Sequence, residues 1–234
     1  MLVALCAAGL VLSTPFLLAA VRAVHPPVPI ASLLALQALL VLLLCAVAAW
    51  AGERFSPGTG LDAPWLRALA DRREPPPGFG SVAIEAAAVG SVTAIVVTAL
   101  ALRSRLPEAL WQPIAAGFWT RASSAFYGGP VEETLMRWGV LAALVALGRR
   151  YGIRDAFWPA NVAAALAFAA LHVPSLVYSR IPLTGAVVAQ VLLGNGVAGV
   201  VFGWMFRRRG LEGAMVAHGA ADVWLQAALP ALLT

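Results

Sequence analysis

The chain has 234 residues, 61% of them hydrophobic and 12% charged, with a mean hydropathy of +0.85. Soluble domains carry about 25% charged residues, so a single water-facing globule is excluded and an all-α polytopic membrane protein is expected. The net charge of +5 comes from arginine alone, and the arginines fall mostly in short connections between apolar runs; that is the pattern of membrane loops, and no nucleic-acid partner is expected.

A bilayer core of ~30 Å needs about 20 apolar residues per helix. Runs that meet or approach this length lie at 2–21, 29–51, 82–102, 112–127, 130–148, 156–172, 185–206 and 211–233. The sequence therefore predicts seven to eight transmembrane helices in one membrane domain, with N-terminal helices over 1–105 and a core over 106–234. The doubtful run is 112–127, which is short and carries Arg121. The first run has no basic residue ahead of it and is read as a retained span rather than a signal peptide. Cys6 and Cys45 lie inside apolar runs without a CxxC spacing, so neither zinc binding nor a disulfide framework is expected of them.

Residues 52–81 form the one long polar connection, in which Leu61 to Glu74 can make a short surface helix before Pro75-Pro76-Pro77 ends it. With eight spans counted, Arg22, Arg103, Arg105, Arg149, Arg150, Arg154 and Arg207 to Arg209 all fall on one side, which the positive-inside rule makes cytoplasmic. Gly199 and Gly203 have the spacing of a helix-packing face.

Charged residues inside apolar runs cost about 2.5–3.5 kcal/mol each on insertion scales, and Glu132, Glu133, Arg137 and Asp222 sit in such runs. Placement at a helix end, just after Pro130, is the plain explanation for the two glutamates. Spacing argues for more. Glu133 and Arg137 are four residues apart and share a helix face, while Glu132 points about 100° away. One carboxylate can then stay paired while the other is poised as a base. Of the three histidines, His25 precedes Pro26 in a loop and has no assigned role. His172 closes an apolar helix four residues after Phe168, and His218 stands four residues before Asp222, where a carboxylate can orient the ring. A shared polar site inside the membrane accounts for these residues together.

Glu132-Glu133-x-x-x-Arg137, Phe168-x-x-x-His172 and His218-x-x-x-Asp222 resemble, in order, the three motifs of the CAAX protease and bacteriocin-processing family, which includes the type II CAAX prenyl endopeptidases. The resemblance spans roughly residues 110–230. It implies a membrane-embedded endopeptidase of the glutamate type without a cofactor. Glu132 would activate water with help from His172, His218 and Asp222 would stabilise the oxyanion, and Glu133 and Arg137 would support the first motif. The family's third motif usually ends in asparagine; Asp222 can donate to an oxyanion only when protonated. No serine or cysteine stands at helical spacing beside a site histidine except Ser175, three residues after His172 but beyond Pro174.

Three other readings compete. Two histidines and several acids can ligate zinc, although no His-Glu-x-x-His helix is present. A non-enzymatic immunity or scaffold protein could keep the residues for stability. A transporter would show matching interrupted halves, which the sequence lacks. The expected partners are the lipid bilayer and a peptide or membrane-protein substrate. The expected location is a cell membrane, multi-pass. The alanine- and arginine-rich composition points to the plasma membrane of a bacterium.

Overall fold

A computed structural model describes residues 1–103, 116–179 and 181–233. The described residues are helical and contain no strand. Helices α1 (Leu2–Ala23), α2 (Ile30–Phe55), α3 (Pro64–Ala70) and α4 (Phe79–Arg103) come first. A broken rod follows: α5 (Phe118–Ala122), α6 (Ala125–Tyr127), two π-helical stretches (Gly128–Glu132 and Thr134–Leu141) and α7 (Ala142–Arg150). Then come α8 (Phe157–Leu171), α9 (Val173–Tyr178), α10 (Gly185–Asp222), a π-helical stretch (Val223–Ala228) and α11 (Leu229–Leu233).

Five helical segments among the described residues are long and apolar enough to cross a membrane, namely Leu2–Ala23, Ile30–Phe55, Phe79–Arg103, Phe157–Val177 and Gly185–Leu232. The seven to eight spans expected from the sequence are not confirmed by that count, for two reasons. The rod over 118–150 is divided by its π-helical turns, and Gly185–Leu232 counts as one apolar segment although non-helical backbone at Gly210 divides it into two arms. The start of the expected span 112–127 and the boundary at 105/106 lie outside the described residues.

Packing is inverted relative to a soluble bundle. On α2, Leu36, Leu40, Leu43, Leu44 and Val47 are exposed, while Cys45, Ala48 and Gly52 are buried. On α4, Ile84, Val92 and Ile95 face out while Ala86, Gly90 and Ala94 face in. Lipid is as apolar as leucine, so large side chains gain little by turning inward, whereas small ones let backbones approach closely. Backbones come closest, among the described glycines, at Gly90, where a Cβ would stand 1.9 Å from the Ala217 carbonyl oxygen. The Gly199/Gly203 face also packs as expected, against Ala165 and Asn161 of α8.

At one end of the bundle the polar 56–78 connection folds under the helices. Gly210 adopts φ 78°, a left-handed conformation open to glycine, and divides α10 into two arms. Leu211 N donates to Asp62 O at 2.9 Å. The buried Glu212 carboxylate accepts from Leu66 N at 2.7 Å and so caps α3, whose own N-cap residue Ala63 has no side-chain acceptor. Arg149 donates to the carbonyls of Gly58 and Thr59, and Glu85 pairs with Arg208 and Arg209.

The arginine grouping expected from eight spans is not what the structure has. Ser123 meets Phe16, Phe126 meets Gly9, Pro130 meets Cys6, and Arg149 reaches Thr59. Residues 117–150 therefore traverse the bundle once, not twice. Arg149, Arg150, Arg154 and Arg207 to Arg209 share an end with Arg54, Arg67, Arg72 and Arg73. Arg22 lies beside Gly117 and Thr120 at the other end, with Arg103. Cytoplasmic loops are arginine-rich, so the end holding α3 is predicted to be cytoplasmic. Both native cysteines are buried, which suits impermeant-maleimide labelling of single introduced cysteines in intact cells. Pro27→Cys should label from outside and Glu74→Cys only after lysis; the reverse pattern would contradict this orientation.

Candidate active site

The first motif is shaped by its own sequence. Pro130 offers no N–H, and the backbone around it widens into π-helical turns, a feature frequent at functional sites. The Pro130 carbonyl is taken up by the Thr134 hydroxyl at 2.6 Å and approached by Cys6 Sγ at 3.6 Å. Adjacent glutamates then face different surroundings. The Glu132 side chain is 22% exposed and lines a cavity, whereas that of Glu133 is fully buried.

Glu133 bridges two motifs. Its Oε2 accepts from Arg137 Nε at 3.0 Å and its Oε1 meets His218 Nδ1 at 2.8 Å. Arg137 is itself fully buried, with its guanidinium 5.5 Å from the Phe168 ring centroid. The ion pair inferred from spacing is thus present, and it also holds the third motif. The orienting carboxylate for His218 is Glu133 rather than Asp222. His218 turns Nδ1 away from its own helix, and Asp222 Oδ1 stands 3.8 Å from Nε2, beyond hydrogen-bond length. Nε2 is the nitrogen presented to the cavity, 3.5 Å from Glu132 Oε2.

Aromatic rings fix the imidazoles. His218 stacks on Phe202 with centroids 4.6 Å apart, and Phe168 meets it edge-on at 5.7 Å. Phe168 also meets His172 edge-to-face at 4.6 Å, on the shared helix face that the i,i+4 spacing predicts. His172 Nδ1 lies 2.8 Å from the Phe168 carbonyl oxygen. A carbonyl can only accept, so Nδ1 carries the proton and a neutral ring keeps its lone pair at Nε2.

The cavity has a volume of about 520 Å³ and takes in Glu132, Phe168, His172, His218 and Asp222. It runs from mid-bundle toward the arginine-poor end, past Phe16 and Leu17 of α1 and Asn195 of α10. Glu133 and Arg137 sit behind its wall, and Cys6 and Cys45 do not line it. Gly128, missed from the sequence, sets its floor: a Cβ there would fall 2.2 Å from Asp222 Oδ2 and 2.9 Å from His218 Nε2. The Gly-Gly-Pro run was legible as a break but not as a contact. Gln37, Ser124, Tyr127 and Gln226 were missed as lining residues, although each is polar within an apolar run. Among the described residues, no three His, Cys, Asp or Glu side chains are grouped to hold a metal ion.

The family model for Rce1-like type II CAAX prenyl endopeptidases matches residues 113–224, just under half of the chain. That segment is similar to the Rce1-like family. It contains all three motifs and every candidate residue named from them, and the family is one of proteases. No curated protein and no solved structure matches the chain.

Removing one member of a buried ion pair leaves an uncompensated charge and costs about 3–5 kcal/mol. Arg137→Met is therefore expected to lower the thermal unfolding temperature in detergent sharply, and Glu133→Gln combined with Arg137→Met to recover much of the loss. An unfolding temperature unchanged in Arg137→Met would show that the pair does not hold the motifs.

Proposed function

We propose that the chain is a membrane-embedded endopeptidase in which Glu132 activates a water molecule for attack on a peptide carbonyl. The observation that carries this reading is the meeting of Glu132, His172, His218 and Asp222 in one apolar-walled cavity inside a chain similar to the Rce1-like family. Neither cavity carboxylate, Glu132 or Asp222, has a guanidinium partner, and Glu132 is the one that belongs to the first motif. With Asp222 assigned as a proton donor to the oxyanion, Glu132 is the group left to accept a proton from water, while its neighbour Glu133 is committed to Arg137 and His218.

The chemistry balances with these groups alone. Water oxygen bonds to the carbonyl carbon as Glu132 takes one of its protons. The carbonyl oxygen becomes an oxyanion, stabilised by His218 Nε2–H in the imidazolium form and by Asp222 in its protonated form. Glu132 returns its proton to the leaving amine, the C–N bond breaks, and one carboxyl and one amino terminus result. The Glu133 carboxylate fixes which His218 nitrogen faces the substrate and offsets the charge the ring carries. His172, its Nδ1 held by the Phe168 carbonyl, offers Nε2 to orient the water. No cofactor is required by this scheme. Membrane-inserted peptides or proteins would be the substrates, with CAAX-type cleavage the activity that the family name suggests.

General-base catalysis contributes typically 10²–10⁴-fold. In detergent, Glu132→Gln is expected to lower cleavage of a fluorogenic peptide panel, including a prenylated CAAX peptide, by about that factor, with thermal stability unchanged. A strong zinc chelator is expected to leave the wild-type rate intact. Activity abolished by the chelator and restored by zinc would overturn the glutamate mechanism. Full activity in Glu132→Gln would overturn the role of that residue.

A further inference from the structure

Two polar side chains of the cavity wall have an atom to spare among the described residues, one an acceptor and the other a donor. Asn195 of α10 donates from Nδ2 to Val191 O at 2.9 Å, which leaves its Oδ1 to accept. Of the serine and threonine hydroxyls in the wall, Thr93 donates to Val89 O at 2.8 Å and Ser175 to His172 O at 2.6 Å. Ser124 differs from both. It is 3% exposed, and its Oγ has no hydrogen-bond partner among the described residues. A buried hydroxyl left unpaired is costly, and native structures rarely keep one without a use.

These two atoms match what a peptide brings. Each peptide unit carries one N–H donor and one C=O acceptor. A helical segment pairs them within itself. A bond opened for hydrolysis lies in unwound chain, whose amides are costly to leave unpaired between walls such as Phe16, Leu17, Val97 and Leu225. Ser124 stands on the broken rod and Asn195 on the first arm of α10, both toward the arginine-poor end from the reacting groups. Asn195 is seven positions before Phe202, the ring stacked on His218. That stretch of α-helix rises about 10 Å, a distance that about three residues of extended chain cover.

We propose that Asn195 and Ser124 bind the backbone of an extended substrate within about three residues of the cleaved bond, Asn195 Oδ1 accepting a peptide N–H and Ser124 Oγ donating to a peptide carbonyl. The inference rests on the peptidase reading above and specifies how its substrate is held. Recognition by backbone groups is indifferent to side chains at those positions and rejects a substrate that keeps its helix.

The test remakes the members of the peptide panel that the detergent-purified wild type cleaves, with one backbone amide near the cut at a time replaced by an ester. An ester lacks the N–H and leaves the side chains unchanged. On wild type, one ester position is expected to raise KM about tenfold with kcat little changed, because it leaves the Asn195 oxygen unpaired. In Asn195→Leu the all-amide peptide should show that rise and the ester no further one. Asn195→Ala replaces Asn195→Leu if the latter does not keep the wild-type unfolding temperature. Ser124→Ala should raise KM several-fold for amide and ester peptides alike, since the group it pairs is a carbonyl. Esters tolerated at every position by wild type, or an ester penalty that persists without Asn195, would overturn the assignment to Asn195. An unchanged KM in Ser124→Ala would overturn that of Ser124. In both cases cleavage of the all-amide peptides leaves the peptidase reading standing. A panel on which wild type cleaves nothing would overturn that reading and this inference with it.

Discussion

A fully buried glutamate is tied on one side to an arginine of its own helix and on the other to a histidine of the last long helix. Glu133 reaches Arg137 at 3.0 Å and His218 at 2.8 Å, and each of these groups would be costly to bury alone. Together they compensate one another. The rest of the site follows from this bond. With Nδ1 of His218 engaged, only Nε2 can face the cavity, and Glu132, next in sequence but turned elsewhere, stands 3.5 Å from it without a guanidinium partner.

Small residues make that meeting possible. The rod over 118–150 crosses α10 at Gly128 and Gly129, where a Cβ would strike Asp222, His218 or the Met215 carbonyl. On its opposite flank α10 meets α4 at Gly90. Apolar burial does little to hold helices together in lipid, so close backbone packing and the buried polar cluster share the task of fixing helix positions. The arginine-rich clamp at the other end, with Glu212 capping α3 and Gly210 turning the chain, sets where the helix bearing His218 and Asp222 begins.

Much of the site was legible in the sequence. The i,i+4 spacing of Glu133 and Arg137 gave the ion pair, and that of Phe168 and His172 gave the ring contact. What spacing could not give was a partner on another helix. His218 has a carboxylate one turn away at Asp222, and local reasoning assigns the ring to it, whereas the structure gives the ring to Glu133, 85 positions earlier in the chain. A straight-helix count of depth fails for a related reason. Counting 1.5 Å per residue places Glu132 roughly 24 Å and His218 about 14 Å from one membrane face, yet they lie 3.5 Å apart. The count assumes straight α-helices, while the first motif lies in π-helical turns with less rise per residue and the third follows a break at Gly210. The same π-helical turns hid the single traverse of residues 117–150, and with it the arrangement of the arginines. Glu212 was passed over because it stands at the start of an apolar run, where an acid reads as an ordinary helix-end residue.

The central claim is that Glu133 holds His218 by Nδ1 so that Nε2 faces Glu132. With three histidines in the chain, nitrogen-15 NMR of the histidine-labelled protein can resolve His218, assigned by the loss of its signals in His218→Gln. The account predicts a protonated, hydrogen-bonded Nδ1 in the folded protein, and an Nε2 resonance that moves in Glu132→Gln while Nδ1 stays in place. A neutral ring protonated at Nε2 alone, with a bare Nδ1 and no response to Glu132→Gln, would contradict it.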